Sequence, residues 1–428
     1  PQKVPPVVNH GTPEFPDYAA TRYYSSDFTE KRMVSYFGRL GYNYKQRYLL
    51  EFTFRRDGSS TFGEGNRWAN FPSVAVGWSF SEEPFIKRLT GGWLNWGKIR
   101  GSYGKSGQTF TSAYLAHGLM NIMDKSFFGK TGITTDKPVS PYLTWEKTRQ
   151  YDLGLDMDMF NYRLNVKLDY YYKYTSSLIY DIPIPGSLYA FGAQVENAME
   201  ISNEGLELEL QADILRESAV SWRMKFNMAR NWNRFEKSYS GKDVVDGDGT
   251  LLVVGRPLNG LYVWAHRGYY NSDAEVPRLY KIDGQEIYFN GVATNGISGA
   301  VGDYRLLDLD GDGNPDSYYA GSPLPLAHGG WVNELMWKNF DLNVLVNFTI
   351  GRKMINNRMG LGFSRQSEDG HLTKLFDYRK LRPWDGVNKK PNAPAWGNSL
   401  SMNTDSAIEK VHHLALKQIT LGYNLPDR

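Results

Sequence analysis

Asp308–Asp316 (DLDGDGNPD) places oxygen-bearing side chains at alternate positions, Asp308, Asp310, Asp312, Asn314 and Asp316, with Gly313 at the sharp bend. Hard oxygen donors at this spacing suit Ca²⁺ and resemble the first nine positions of an EF-hand loop. The twelfth position holds Tyr319 instead of the bidentate glutamate, and neither flank reads as a helix. Two readings stand. One is a surface Ca²⁺ site that stiffens a loop; the other is a turn made of Asp and Gly with no metal. Asp243–Thr250 (DVVDGDGT) is a fainter version of the same pattern.

Other chemistry is sparse. The sequence has no cysteine, which excludes disulfides, thiolate ligands and a thiol nucleophile. Its seven histidines, among them His266, His328, His371 and the pair His412–His413, show no ligand spacing. Gly104-Lys105-Ser106 ends like a phosphate loop, but Ile99 stands where the first glycine belongs. No G-x-S-x-G elbow occurs. Asp156, Asp158, Glu207 and Glu209 alternate along strands, as in the wall of a wet channel, and do not read as a catalytic pair. No enzyme is expected. With 49 basic and 46 acidic residues the formal charge is +3, so no nucleic-acid partner is implied.

The elements that carry these residues repeat with a period of two. In Arg163–Lys173 (RLNVKLDYYYK), Leu164, Val166, Leu168, Tyr170 and Tyr172 share one face, and charged or polar residues share the other. Tyr48–Phe54, Tyr151–Met159, Leu206–Ala212, Trp222–Met228 and Phe340–Ile350 repeat the pattern. Near the end Leu414 and Leu416 are followed by Ile419, Leu421 and Tyr423, a slip across Lys417 and Gln418 that predicts a bulge. No apolar run approaches the ~18 residues of a membrane helix. Yet 29 Tyr, 12 Trp and 21 Phe are many for a chain of mean hydropathy −0.51. A transmembrane β-barrel reconciles the two, because alternate residues face lipid and aromatics gather at the interfaces.

The connections sort by length. Short turns fall at Tyr42–Arg47, Phe160–Tyr162, Arg216–Ala219 and Lys338–Phe340, joined by Ser81–Trp93, which reads as a longer turn with some helix. Long stretches alternate with them: Asp57–Phe71, Gly107–Thr148, Thr175–Glu200, Glu236–Leu324 and Met354–Val411. Short turns at one end and long loops at the other is the asymmetry of outer-membrane barrels, and the scheme predicts about eleven strands. The acidic loop then lies on the long-loop, extracellular side. Trp145, Trp264, Tyr269, Tyr270, Tyr318, Tyr319, Trp384 and Trp396 lie in or near those loops. Such rings stack on sugars, anchor protein interfaces or pack loops together.

Several strings resemble the SusC/RagA-like branch of the TonB-dependent outer-membrane transporters of Bacteroidota. They include Arg55–Phe85 (RRDGSSTFGEGNRWANFPSVAVGWSFSEEPF), Lys98–Gln108, Leu143–Ile179, Ile201–Leu210, Gly302–Asp316 and Leu414–Pro426 (LALKQITLGYNLP). The resemblance runs over nearly all of 1–428, in order. It implies an all-β fold, part of a transmembrane antiparallel β-barrel of the plugged class of about 22 strands. The strand directions fit roughly the tenth to the twentieth of these, with plug domain, TonB box and last two strands outside the chain. The loops 236–324 and 354–411 are the longest.

The resemblance further implies energised import of a large nutrient, an oligosaccharide ahead of an oligopeptide. The partners would be a SusD-like surface lipoprotein, TonB–ExbB–ExbD through the missing N-terminal part, outer-membrane lipid, and a second copy of the SusCD pair. An accessory barrel of a surface assembly or secretion complex is the alternative reading.

Overall fold

Side chains of an extended chain alternate between two faces, so a sheet can be apolar on one side and wet on the other without any continuous greasy run. The computed structural model of the chain is organised on this rule. It describes residues 28–425 except 110–112, 115, 119, 128–129, 136–137, 190, 217, 246–250, 277, 281–285, 289–300, 310, 312–315, 357–381, 388–389 and 396–403.

Eleven strands form one sheet: β1 (Met33–Tyr44), β2 (Tyr48–Ser59), β3 (Trp68–Trp78), β4 (Leu94–Gln108), β5 (Glu146–Met159), β6 (Leu164–Pro183), β7 (Ala193–Leu215), β8 (Val220–Lys237), β9 (Ala327–Trp337), β10 (Phe340–Ile355) and β11 (Ile408–Tyr423). Each strand pairs antiparallel with the next in sequence, so the sheet is an uninterrupted meander. The sheet is open, with β1 and β11 as its two edges.

The expected short turns all lie at one end. Lys45 (φ 53°) and Gln46 (φ 54°) make the tight β1–β2 link, and Asn43 Oδ1 accepts the Gln46 N–H at 2.9 Å. Phe160, Asn161 and Tyr162 are all left-handed between β5 and β6, and Lys338 (φ 52°) turns β9 into β10. In Ser81–Trp93 the expected helical turn is α1 (Pro84–Thr90), with proline opening it and Gly91 (φ 55°) closing it. The expected bulge is present: Leu345 faces Gln418 while Val346 faces Leu416, leaving Lys417 as the extra residue.

One expectation needs correction. Thr175–Glu200 is not a long loop, because β6 continues to Pro183 and β7 starts at Ala193. The pairing survives two register shifts around Leu178, beside a left-handed Ser177. These shifts scramble the alternation there, so the extension was invisible in the sequence. The added length lies on the long-loop side, where Met199 and Phe235 pack with Val244 and Leu252 in a small buried cluster.

The apolar face is bare and the aromatics band it. Leu40 is 73% exposed and Leu153 58%, too much hydrocarbon for a face that meets water. At the short-turn end Tyr44 stacks on Tyr48 (6.4 Å), Trp93 on Phe160 (6.1 Å) and Trp337 on Phe340 (6.3 Å), and Phe340 leans on Tyr423 (4.7 Å). Lys45 and Lys338 lie over Tyr44 and Trp337, each at 5.2 Å. At the other end Tyr36 stacks on Trp68 (6.1 Å), with Arg56 above the indole at 5.2 Å. Between Trp68 and Trp78 run the 11 residues of β3. They span about 33 Å along the strand, or about 25 Å in height at a tilt of ~40°, the thickness of a bilayer's apolar band.

Candidate functional site

The opposite face of the same strands is the polar one, and charges pair across it. Arg39 pairs with Glu51 across β1–β2. Arg100 on β4 spans two strands, reaching Asp156 at 3.0 Å and Asp169 at 2.6 Å. Lys167 meets Glu209 at 3.3 Å, Arg223 meets Asp213 at 2.6 Å, and Lys225 meets Glu334 at 2.6 Å. Ser102 donates to Asp152 at 2.7 Å, and Asn165 to Asp158 at 2.7 Å. Of the carboxylates that alternate in the sequence, Asp156 and Glu209 are held in ion pairs and Asp158 accepts from Asn165, as expected of a wet wall, and no acid/base couple stands out among the described residues.

Glycine makes part of this wiring possible. A Cβ on Gly154 would stand 2.5 Å from the Arg100 Cζ and 2.7 Å from Asp169 Oδ1, so only glycine lets the guanidinium cross β5. A Cβ on Gly205 would meet the Tyr171 ring at 2.5 Å; that ring lies across β7 and donates its hydroxyl to Asn231 at 2.9 Å. Toward β1 the wall opens into a shallow hollow of about 520 Å³, floored by Gly41, Ala75, Gly77 and Ser102 and rimmed by Glu51, Arg100 and Asp152.

The loop end is built differently, from buried knots between distant segments. Trp145, 1% exposed, lies between Phe62 (5.0 Å) and Phe71 (5.6 Å) and donates its indole N–H to the Arg67 carbonyl at 3.1 Å. It staples the β2–β3 loop to the start of β5. Leu261–Trp264 pairs with Ser317–Gly321, and His266–Tyr269 with Tyr304–Leu306. Between these two ribbons the acidic tip closes on itself: Leu307 N–H donates to Ala265 O (2.9 Å), Asp316 N–H to Leu307 O (2.9 Å), and Ala265 N–H to Asp316 O (3.1 Å).

Of the five candidate cation ligands, Asp308 and Asp316 lie within the described residues; Asp310, Asp312 and Asn314 lie outside them. Asp308 Oδ1 accepts the Gly311 N–H at 2.6 Å and Asp316 Oδ2 the Leu309 N–H at 2.6 Å, so both carboxylates tie the tip through side-chain-to-backbone bonds. Among the described residues no three His, Asp or Glu side chains gather as a metal cluster.

The loop aromatics divide. Trp145 and Tyr270 are buried, and Trp264 forms a bridge with Thr404. Trp384 donates to Asn271 Oδ1 at 3.1 Å. Tyr319 lies beside Tyr262 (5.7 Å) under the Arg256 guanidinium (4.9 Å), and Tyr318 is more open. Trp396 lies outside the described residues. One joint was missed in the sequence. His266 Nδ1 pairs with Asp405 just before β11, 139 residues away. The His266 ring meets the edge of Tyr304 (4.5 Å), Tyr304 stacks on Tyr269 (5.3 Å), and the Tyr304 hydroxyl meets Ser406 at 3.0 Å. Burial pushes the Tyr269 and Tyr304 phenols above their ordinary range. Nothing in local spacing signals such a joint, since its partners come from two different loops.

Comparison with known proteins agrees with this geometry. The family profile described as "TonB dependent receptor-like, beta-barrel" matches residues 7–319. TonB-dependent receptor P26 of Formosa agariphila is 32% identical over 419 residues, which cover 94% of this chain and 40% of that protein. TonB-dependent receptor SusC of Bacteroides thetaiotaomicron is 29% identical, with 96% and 40% covered. The chain therefore spans about 40% of the length of the curated relatives it matches. Among solved structures, the RagAB peptide transporter superposes with a TM-score of 0.73 at 24% identity, over 96% of this chain and 42% of that one. The RagAB importer in its open-open state gives 0.74 at 23%, over 96% and 41%. A sheet with one bare apolar face, one ion-paired face and all its long connections at one end is thus the β-barrel part of a TonB-dependent receptor of SusC/RagA type, the family to which this chain belongs.

Proposed function

We propose that the protein containing this chain is an active importer in the outer membrane of a bacterium, energised by TonB–ExbB–ExbD and covered on its outer side by a SusD-like lipoprotein. In this reading the strands cross the membrane repeatedly, the long-loop end faces the medium and the short-turn end faces the periplasm. The observation that carries it is the division of one sheet into a lipid-suited face and a water-suited face. An ion-paired wall of balanced sign suits passage of a neutral, hydrated cargo, since it offers hydrogen bonds without a net field. We propose an oligosaccharide, with oligopeptide second. The exposed ring of Tyr318 supports a sugar-stacking entrance. Transport breaks no covalent bond, so no catalytic residues are assigned.

Deleting the gene of the full-length protein tests this reading. Growth is expected to fail on one class of oligosaccharide and to be restored by the intact protein, but not by one lacking its TonB-contacting segment. Unimpaired growth on every polymer, with stable partners still held on the loops, would favour an accessory barrel instead.

Ca²⁺ is the ligand we propose for the tip, with Asp308, Asp310, Asp312, Asn314 and Asp316 as donors; the closed neck at Leu307 and Asp316 supports it. Calorimetry on the full-length protein with millimolar Ca²⁺ is expected to show heat that Asp308→Ala removes. No heat with the intact protein leaves the tip as a turn.

A further inference from the structure

The residues that lead into helix α1, Phe80 and Glu83, pack on the apolar side of the sheet and not beneath its wet face, and they set the helix beside that side. Phe80, just ahead of it, covers Gly97, where a Cβ would stand 2.4 Å from the phenyl Cζ. Gly97 shares its face of β4 with Ile99, part of the bare hydrocarbon surface. Glu83, which caps α1, points the same way. Its carboxylate accepts from the Tyr48 hydroxyl at 2.7 Å and the Trp78 indole at 3.4 Å, with the Arg47 guanidinium at 3.5 Å. Tyr48 and Trp78 face each other across β2–β3, in line with Leu50 and Val76 of the apolar face. The Tyr48 hydrogen bond, helped by Trp78 and the Arg47 charge, holds the Glu83 carboxyl below its ordinary range despite its desolvation.

With the helix fixed there, its faces divide by chemistry. Ile86 and Thr90 turn toward the protein. Phe85 and Leu89, one turn apart on one flank, are 59% and 80% exposed. Lys87, paired with Glu82 at 2.7 Å, occupies the other flank, and Arg88 the crest facing away from the protein. Trp93 follows at once and joins the aromatic belt through Phe160. A short helix with apolar and basic flanks, seated outside a barrel wall at the level of its aromatic belt, has the build of a membrane-surface anchor.

We propose that α1 is such an anchor: Phe85 and Leu89 enter the headgroup–acyl boundary of the phospholipid leaflet at the short-turn end, and Lys87 and Arg88 face its phosphates. Continuity with the belt selects lipid over a protein partner, since a partner covering Leu89 would have to displace lipid from Trp93 as well. The basic flank fits an anionic headgroup layer. The anchor fixes the height of the β3–β4 connection, and it rests on the reading of the sheet as membrane-spanning.

Single cysteines separate the two claims, and these 428 residues contribute none of their own. The full-length protein, in nanodiscs of phosphatidylethanolamine and phosphatidylglycerol, is spin-labelled at Leu89→Cys, Lys87→Cys and, on the apolar face of β5, Leu153→Cys. Collisions with dissolved oxygen and with a water-soluble nickel chelate are then compared. Oxygen is expected to dominate at 89 and 153, and nickel at 87. A label at 89 as open to nickel as that at 87 overturns the anchor, as does one shielded from both reagents as under a protein. If 153 is also nickel-accessible, the membrane-spanning sheet itself fails and the anchor with it.

Discussion

The sheet and the loop end solve opposite problems. Strands β1–β11 hold together through backbone ladders between sequence neighbours, and their side chains mainly choose between two media. The loop end has only short, separate ladders, so it depends as well on buried side chains brought from far apart: Trp145 over Phe62 and Phe71, Phe235 with Met199 and Val244, His266 against Asp405. Order in the sheet is local and repetitive, while order in the loops is specific and carried by few residues. Single substitutions should therefore act very differently in the two regions.

The largest effect is expected at a loop knot. Trp145→Ala removes the ring that fills the space between Phe62 and Phe71 and strands the Arg67 carbonyl. About 3–5 kcal/mol of local stability is expected to go. Hydrogen exchange across the β2–β3 loop, 60–67, should accelerate by two orders of magnitude or more, with β6–β8 unchanged. Uniform acceleration throughout the sheet would mean that loops and sheet are one cooperative unit, against the division drawn above.

Next comes the choice of medium. Leu153 is in the middle of β5 on the apolar face, and Gln150 lies on the wet face of the same strand beside Asp152, to which it donates at 2.8 Å. Leu153→Arg is expected to cost about 2–4 kcal/mol in denaturant unfolding from lipid vesicles. Gln150→Arg keeps Asp152 as its carboxylate neighbour and should stay within about 0.5 kcal/mol of the parent. Equal losses at the two positions would show that β5 is buried on both faces.

This contrast also explains how much the sequence disclosed. The period of two in Arg163–Lys173 and Phe340–Ile350 is legible because every residue answers to the same pair of media, and a single slip at Lys417 appears at once as a bulge. The alternation fades beyond Thr175, where register shifts intervene, and there the sequence does not mark the strand end. The loop knots leave no periodic trace. Trp145 read as one more surface aromatic because Phe62 and Phe71 lie about 80 residues away, and the tie between His266 and Asp405 spans 139. The type and spacing of Asp308 and Asp316 suit a turn as well as an ion, so the sequence leaves both readings open.

A smaller effect is expected where the two longest loops meet. Asp405→Ala leaves His266 without its carboxylate partner and frees Tyr318, whose hydroxyl lies 3.4 Å from that carboxylate. The loss of one such partly buried partner is worth about 1–3 kcal/mol. Limited proteolysis should cut faster in both loops at once, 238–326 and 356–407. Faster cutting in 238–326 alone would show that Asp405 does not join them.

The smallest effect is expected on the wet wall, although it carries the most charges. Lys167 and Glu209 pair at 3.3 Å with the two side chains 46% and 63% exposed, so water screens their attraction and a guest charge meets little resistance. Lys167→Met should change stability by less than about 1 kcal/mol, and raising the salt concentration should erase even that. On the import reading proposed above, its expected consequence lies in permeation. Losing one cation leaves Glu209, and Asp156 across the ladder, with less balance, so the wall turns locally negative. Uptake of an anionic oligosaccharide should slow more than that of a neutral one of equal size. If stability falls as far as with Leu153→Arg, the ion pairs are structural struts and the two faces of the sheet do not divide the work between holding and passing.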